Sequence, residues 1–283
     1  MESCKGEVLI IDGTNLIHRN YYIHQDRRTI NGIYTGGLYG VVRSLKSYIK
    51  NFNPKQMFIC FDKSERTFRH KVYADYKATR KETDVELKTQ FQLFEKFCKL
   101  ANIPFVEKEL YEADDLMGSL CCNAYKYNIK PYAVTGDKDL FQLIDKGVEV
   151  IYLSRKGPVI YGEKEFIEEY GLNTSQYLDY KALVGDASDN IPGVPGVGDK
   201  TAKKLLKQYN TLDELYKNTD KLKGKQKERI VENKQNAYLF KDILTIKCDI
   251  SLDYDKYFID YIGEGFDLES TRVKKFLSNL EIN

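Results

Sequence analysis

The chain has 283 residues, of which 42% are apolar and 30% are charged, the profile of a soluble globular protein. This length allows one large domain or two modest ones with a sizeable buried core. It contains no run of about 18 consecutive apolar residues, so no membrane span is expected, and the short apolar run near the N-terminus is wrongly flanked for a signal peptide.

Six cysteines are scattered along the chain without the C-x-x-C spacing of a zinc site or a disulfide framework. We interpret them as buried structural thiols in a reducing compartment, and therefore expect a cytoplasmic protein. They are Cys4, Cys60, Cys98, Cys121, Cys122 and Cys248.

The net charge is only +2, which by itself argues against a protein that binds nucleic acid. Nine of the carboxylates, however, fall in motifs that we assign below to one metal site. Without those nine, 44 basic residues face 33 acidic ones, a balance of +11. Divalent cations bound to the acids would leave this basic remainder for phosphate groups.

Short apolar runs alternate with helical patterns in the first part of the chain. Strands are predicted at 8–12, 57–62, 131–137 and 148–153, and helices at about 38–49, 87–101 and 116–125. This alternation predicts an α/β fold with a parallel sheet covered on both faces. Ligands bind beyond the carboxyl ends of such strands, and three of these strands end in aspartate.

After about residue 172 the pattern becomes mostly helical, which predicts domains at 1–172 and 173–283. A helix is predicted over 174–184, and the sequence TLDE at 211–214 is a capping box. The apolar spacing over 225–246 predicts one long helix.

The strongest feature is a set of paired acids close to predicted strand ends. Glu112 and Asp115 are three residues apart, which places them on one face of a helical turn. Oxygen ligands without His or Cys select Mg²⁺ or Mn²⁺, and two such ions about 3.5–4 Å apart can activate water and stabilise the leaving oxygen of a phosphodiester. One such acid is usually a helix cap, but the full set favours a metal site. The set is Asp12, Asp62, Glu112, Asp114, Asp115, Asp137, Asp139, Asp186 and Asp189.

A glycine-rich turn precedes a helical pattern at 191–204, IPGVPGVGDKTAKK. Gly196 and Gly198 permit close backbone approach, and the helix beginning near Asp199 would present free N–H groups to a phosphate. The string is similar to a helix-hairpin-helix, a sequence-independent grip on a DNA backbone, and its alternative is an ordinary helix cap. Three lysines add positive charge there: Lys200, Lys203 and Lys204.

Residues 63–81, here called the basic segment, interleave basic and aromatic side chains in the sequence KSERTFRHKVYADYKATRK. Such charges neutralise phosphates, and aromatic rings stack on unpaired bases. A solvated surface helix is an equally good interpretation of this segment alone. Because the segment has few aliphatic residues, we expect it to pack poorly and to be mobile without DNA.

At these residues the chain resembles the 5′-nuclease family, which includes the N-terminal domain of bacterial DNA polymerase I, stand-alone 5′–3′ exonucleases and flap endonucleases. The resemblance implies a PIN-like α/β nuclease core with a parallel sheet and a helical arch near 63–101. It also implies an all-helical C-terminal helix-3-turn-helix domain, with the helix-hairpin-helix near 185–207. The strings that carry it are IIDGTNLIHR, TGGLYGV, FDKSERTFRHKVYADYKATRK, EADD, TGDKDLFQL, LVGDASDNIPGVPGVGDKTAKKLL and NAYLFKDILTIKCD.

Carried over position by position, the resemblance implies three groups of site residues. The nine acids match the family's metal ligands, with the last two contributed from the C-terminal side. The residues that match groups handling the scissile phosphate and the 5′ strand are Arg19, Tyr76, Lys77 and Arg80. The duplex-binding residues are Gly196, Gly198, Lys200 and Thr201, with Lys203 as a charged neighbour.

The implied activity is that of a structure-specific 5′ nuclease, both flap endonuclease and 5′–3′ exonuclease, in DNA replication and repair. It would use two or more Mg²⁺ ions, with Mn²⁺ as a substitute, and leave a 5′-phosphate and a 3′-hydroxyl. The expected partners are branched or 5′-flap DNA, an RNA–DNA hybrid and a separate DNA polymerase, with the chain a monomer and no membrane involved. Three alternatives stay open: a phage-type RNase H, a catalytically inactive binder of branched DNA, and a small RNA-cleaving nuclease.

Overall fold

The computed structural model describes residues 6–80 and 84–282, so that Cys4 and Lys81 lie outside the described residues. Its strands are β1 (Glu7–Asp12), β2 (Gln56–Phe61), β3 (Phe105–Glu107), β4 (Lys130–Thr135), β5 (Glu149–Ser154) and β6 (Gly157–Tyr161). They form one sheet in the order β3-β2-β1-β4-β5-β6. β1 to β5 are parallel, and β6 runs antiparallel to β5.

Helices cover the sheet and make up most of the second half of the chain. They are α1 (Gly13–Ile23), α2 (Gly36–Phe52), α3 (Phe68–Val72), α4 (Val85–Ala101), α5 (Ala113–Ala124), α6 (Glu163–Tyr170), α7 (Tyr177–Val184), α8 (Asp199–Tyr209), α9 (Leu212–Lys217), α10 (Gly224–Glu232), α11 (Lys234–Leu244), α12 (Ile262–Glu264) and α13 (Thr271–Asn279). None of the helices in the described part of the chain has the length and apolar character to cross a bilayer.

The sheet separates two apolar clusters, because successive side chains of a strand point to opposite faces. Ile10 of β1 belongs to the cluster under α5, whereas Ile11 belongs to the cluster under α1, α2 and α4. The first cluster continues into the helical half through Tyr177 and Leu205. The predicted domain boundary at residue 172 therefore lies within one continuous core.

The predicted α/β class and all four predicted strands are confirmed. α1 and both edge strands, β3 and β6, were not predicted, and β6 makes the sheet mixed instead of fully parallel. β3 has only three residues and β6 is largely exposed, so neither has the apolar run that marks a buried central strand.

The predicted single helix over 225–246 is wrong, because α10 and α11 are separate helices that meet at Asn233. Asn233 has φ −100° and ψ 18°, and its Nδ2 donates to Arg229 O at 2.9 Å. Asn side chains that bond nearby backbone groups compete with helical hydrogen bonds. The apolar spacing continued through the break because each helix buries one face, with Ile230 in α10 and Phe240 in α11.

Two other helix starts follow the local sequence signals. The predicted helix over 174–184 begins with a 3₁₀ turn at Thr174–Gln176 and continues as α7. Thr211 caps α9, since its Oγ1 accepts a hydrogen bond from Glu214 N at 3.2 Å. α5 begins three residues before its predicted start, which places two of the predicted acids inside its first turn.

Candidate active site

The carboxyl ends of β1 and β2 deliver two of the predicted acids to one edge of the sheet. Asp12 is buried at the end of β1, where it caps α1 by accepting from Asn15 N at 2.8 Å. It also accepts from Thr135 Oγ1, at the end of β4, at 3.0 Å. Asp62 follows β2 and accepts from Ala113 N at 2.8 Å, which connects it to the first turn of α5.

The acids that follow β4 meet an acid from the helical half. Asp137 accepts from Asp139 N at 2.9 Å and caps the 3₁₀ segment behind it. Lys181 Nζ lies 2.6 Å from Asp139 Oδ1, and the same ammonium group contacts the carboxylate of Asp186. Lys181 was not predicted as a site residue, because a single lysine on a helix is not part of any motif in the sequence.

The basic segment connects two further acids. The Tyr76 hydroxyl lies 3.0 Å from Glu112 Oε2 and 2.9 Å from Asp189 Oδ2. Lys77 Nζ donates to Glu112 at 2.8 Å, and Arg80 Nη2 donates to Asp189 at 2.8 Å. The predicted phosphate-handling residues Tyr76, Lys77 and Arg80 are therefore placed directly against the acids.

Most of the described part of the basic segment is exposed, as expected of a segment that packs poorly, but Arg69 and Tyr76 are each only 3% exposed. Tyr76 packs against Ile191 and Leu244 of the helical half, and buried carboxylates accept hydrogen bonds from both side chains. The arch was predicted near residues 63–101. In the described residues of that range, the α-helices are α3 and α4. The mobility of the segment without DNA stays a prediction.

Asp115 is the predicted acid that the structure keeps apart from the others. It is fully buried, and the Arg69 guanidinium donates to its two oxygens at 2.6 and 2.8 Å. Lys247 N donates to the same carboxylate at 3.0 Å. The three-residue spacing predicted that Glu112 and Asp115 share one face of a helical turn, but Glu112 is the residue before α5. Its N–H donates to the Asp115 carboxylate at 3.2 Å. Asp115 therefore has no oxygen left to face a cation at the sheet edge.

Arg19 also differs from its predicted place beside the scissile phosphate. Its guanidinium donates to Leu153 O at 2.5 Å and to Ser154 O at 2.8 Å. These carbonyls end β5, which is two strands away from β1 in the sheet. Arg19 thus shares the carboxyl edge with the acids, but its hydrogen bonds hold the end of β5.

The negative charge of the acids at the sheet edge exceeds the positive charge of the groups around them. Burial raises the pKa of Asp12 to about 7, and the charges of Asp62 and Asp137 add to this effect. Burial and the adjacent Asp137 raise the pKa of Asp139 to about 7 in the same way. The pKa of Asp114 is raised by burial and then by Asp12 and Asp137. These carboxylates therefore lie close enough to oppose one another's ionisation.

Glu112 shows the opposite behaviour, because cations surround it. Burial opposes its ionisation, but Lys77 and Arg69 outweigh that effect and hold the pKa of Glu112 below its usual range. In residues 6–80 and 84–282, no three His, Cys, Asp or Glu side chains are arranged to hold a metal ion. Lys77 and Lys181 instead stand between pairs of acids. The donor set is nonetheless all oxygen and short of positive charge, which fits a hard divalent cation.

The glycine-rich turn leads directly into α8, as predicted. Gly196 has φ +75°, in the left-handed region where a side chain would be strained, and the Arg229 guanidinium lies against it. Gly198 caps α8, which begins at Asp199. In the first turns of α8, Lys200 is exposed and Thr201 is half-buried.

Lys203 is less available than its prediction as a DNA-binding residue required. Its Nζ lies 2.8 Å from Asp199 Oδ1 and over the rings of Tyr170 and Tyr180. Tyr180 also donates to Asp199 at 2.9 Å. The position of Lys203 is thus set by contacts within the protein, whereas Lys200 is exposed in the first turn of α8.

Buried acids at the carboxyl edge of the sheet, next to basic side chains, suit metal-assisted hydrolysis of a phosphodiester, the chemistry of nucleases. Residues 7–171 match the family described as 5′-3′ exonuclease, N-terminal resolvase-like domain. Residues 172–261 match the 5′-3′ exonuclease, C-terminal SAM fold. The chain therefore belongs to the 5′-3′ exonuclease family, which confirms the resemblance inferred from its motifs.

Relatives of this chain include bacterial DNA polymerases I. DNA polymerase I of Caldicellulosiruptor bescii is 38% identical over 251 residues, covering 87% of this chain and 30% of that protein. DNA polymerase I of Bacillus subtilis is 35% identical, covering 94% and 30%. The thermostable enzyme of Thermus thermophilus is 34% identical, covering 98% and 32%. The chain thus spans about a third of the length of these relatives.

Solved structures share the fold along almost the whole chain. The T5 5′-exonuclease with bound zinc has a TM-score of 0.69 at 22% identity, covering 98% of this chain and 99% of that one. A complex of the bacteriophage T5 flap endonuclease with DNA and metal ions has a TM-score of 0.67 at 21% identity, covering 97% and 98%. The catalytic core of Rad2 with DNA substrate has a TM-score of 0.54 at 13% identity, covering 97% and 92%. At these identities the likeness is one of fold.

Proposed function

We propose that the chain cuts DNA at the junction where a 5′ flap leaves the duplex, and that it also acts as a 5′–3′ exonuclease. The observation that carries this proposal is the contact of Tyr76, Lys77 and Arg80 with acids from both halves of the chain. This arrangement puts phosphate-binding cations beside carboxylates that suit a divalent metal. The polymerase relatives support a role in replication and repair beside a separate DNA polymerase, with the chain as a cytoplasmic monomer.

The cations that best suit these acids are Mg²⁺ ions, with Mn²⁺ as a substitute. One ion would be held by four acids whose negative charges lie close together: Asp12, Asp62, Asp114 and Asp137. Asp139 and Asp186 would contribute to a second ion. When bound, such ions supply Lewis-acid stabilisation of the charge that develops on a phosphate. Lys181 separates Asp139 from Asp186 as the structure stands, so it would give way to a second cation.

Lys77 is held in place by both its backbone and its side chain. Its backbone has φ +55°, in the left-handed region that few residues other than glycine adopt. Its N–H donates to Asp189 O at 3.0 Å, and its side chain reaches Glu112. Strained backbone held by surrounding contacts is a feature of functional positions. We infer that Lys77 and Arg80 bind the scissile phosphate and stabilise its transition-state charge.

The metal requirement gives a direct prediction. Cleavage of a 5′-flap DNA should require Mg²⁺ or Mn²⁺, stop in EDTA and return when excess Mg²⁺ is added, because a site built from carboxylate oxygens suits a hard divalent cation. The same assay should include an RNA–DNA hybrid and an unbranched single strand. Faster cleavage of the hybrid than of the flap would favour an RNase H, and full cleavage in EDTA would rule out the metal site.

The role of Lys77 can be separated from simple attraction to DNA. Lys77→Ala should lower the single-turnover rate on a flap substrate much more than it lowers affinity, since the charge acts mainly in the transition state. Lys71→Ala provides a matched control, because Lys71 is exposed on the same segment. A side chain on a solvated surface would change affinity by about 1 kcal/mol or less and leave the chemistry intact. An unchanged rate at saturating enzyme would remove Lys77 from the mechanism.

We propose that α7, the glycine-rich turn and α8 form a helix-hairpin-helix that grips the duplex backbone. Lys200→Ala should weaken duplex binding to a similar extent for all sequences. The slope of log affinity against log salt should fall by about 1, the amount expected for one lost phosphate contact. Lys217→Ala is the control, as Lys217 is an exposed lysine on α9. A loss confined to one DNA sequence would contradict the backbone grip.

A further inference from the structure

Two thiols outside the acidic edge lie side by side in the structure. Cys122 is near the end of α5, and Cys248 follows α11 by four residues. Both are half-buried, whereas Cys60, Cys98 and Cys121 are buried. The Cys248 side chain lies against the stretch of α5 that leads to Cys122, next to Gly118, and Asn123 of α5 donates to the Cys248 carbonyl.

Polar contacts with α5 hold the chain around Cys248 in this position. Ser119 Oγ donates to Lys247 O at 3.1 Å and accepts from Ile250 N at 3.2 Å. Asn123 Nδ2 donates to Cys248 O at 3.3 Å. A Cβ placed on Gly118, one turn before Cys122, would lie 3.5 Å from Cys248 Sγ. These contacts between α5 and the chain around Cys248 therefore place the two thiols near each other.

The surroundings of Cys122 favour its reactive form. The neighbouring thiol of Cys248 lowers the pKa of Cys122, although burial opposes the shift. The ammonium groups of Lys146 and Lys126 act in the same direction as this thiol. The thiolate is the nucleophilic form of cysteine, and a nearby second thiol is what resolves an oxidised one.

We propose that Cys122 and Cys248 are a redox-active pair that hydrogen peroxide converts into an intramolecular disulfide. The Cys122 thiolate attacks one peroxide oxygen, the O–O bond breaks, and the departing hydroxide takes a proton to leave as water. The Cys248 sulfur then attacks the Cys122 sulfenic acid and displaces a second hydroxide, which also leaves as water. Two thiols and one peroxide thus become one disulfide and two waters. This proposal departs from the interpretation of all six cysteines as structural, and it is independent of the proposed nuclease function.

A disulfide here would link α5 to the chain that follows α11. The first turn of α5 carries Asp114, and its last turn contains Cys122. The bond would close a loop from residue 122 to residue 248, and long closed loops restrict the unfolded chain strongly. The oxidised protein should therefore unfold at a higher temperature than the reduced protein.

The test uses the full chain with Cys4→Ser, which removes the cysteine that lies outside the described residues. The folded protein is treated with hydrogen peroxide, quenched with catalase, alkylated with N-ethylmaleimide and mapped by peptide mass spectrometry. The expected result is a linked Cys122–Cys248 peptide that dithiothreitol separates. Cys121→Ser should retain this link, because that buried neighbour takes no part. Cys122→Ser and Cys248→Ser should each abolish it.

Dimedone labelling provides a second readout that does not depend on the disulfide. In Cys248→Ser, the sulfenic acid at Cys122 has no resolving thiol and should accumulate as the dimedone adduct. A melting curve of each variant shows whether it folds. The proposal would be overturned if both thiols stayed free after peroxide treatment, if another pair formed the disulfide, or if Cys121→Ser lost the link while remaining folded.

Discussion

Asp137→Asn should lower the rate of flap cleavage by at least about 10²-fold, the scale expected for loss of one electrostatic catalytic group. Asp137 lies beyond β4 and raises the pKa of both Asp12 and Asp139, so its charge acts at the centre of the acidic edge. DNA binding should be nearly unchanged, because the basic residues that attract phosphate are all retained. Single-turnover cleavage and equilibrium binding on one flap substrate measure the two effects.

The substitution is informative because it preserves the local structure. Asn caps helices as well as Asp does, so the 3₁₀ segment Lys138–Lys146 keeps its cap. Asp145→Asn, at the other end of the same segment, is the matched control and should cut at a normal rate. Near-normal cleavage by Asp137→Asn would show that the acid is structural and would remove it from the metal site.

Arg69→Ala should destabilise the folded protein by about 3–5 kcal/mol, the usual effect of leaving a buried charge without its partner. Its guanidinium donates to both oxygens of Asp115, which is fully buried, and to Ile243 O at 2.7 Å. The side chain thereby joins the basic segment, α5 and the end of α11. The free energy of unfolding in denaturant measures the loss.

Two further variants separate the lost charge pair from other effects. Arg66→Ala, three residues earlier on the exposed side of the same segment, should change stability by no more than about 0.5 kcal/mol. Combining Arg69→Met with Asp115→Leu should recover much of the loss, since an apolar pair leaves no buried charge. A loss below about 1 kcal/mol for Arg69→Ala would mean that Asp115 finds another partner.

The central strands were predictable because β1, β2, β4 and β5 are buried on both faces and read as apolar runs. The edge strands were not, because an exposed strand such as β6 has no comparable pattern. The break at Asn233 was missed for a different reason. The apolar period persists through it, and a single Asn in a helical pattern is a weak signal.

The site was predictable where it depends on strand ends, and not where it depends on partners distant in sequence. Asp12 and Asp62 follow β1 and β2, so topology alone brings them to one edge. Arg69 forms an ion pair with Asp115, which is 46 residues away in the sequence. Because of this pair, the Asp115 carboxylate is bound within the protein. Lys181 likewise reaches Asp139 from another element. Local spacing carries no information on such contacts.

The central claim is that the acidic edge and the basic segment together cut a 5′ flap at its junction. The most direct measurement maps the cut on a flap DNA labelled at its 5′ end, with Mg²⁺ present and the ends of the products identified. We predict release of the flap as one oligonucleotide, with a 3′-hydroxyl on the flap and a 5′-phosphate on the duplex. Cleavage without preference for the junction, or no cleavage by folded protein in Mg²⁺, would contradict the account.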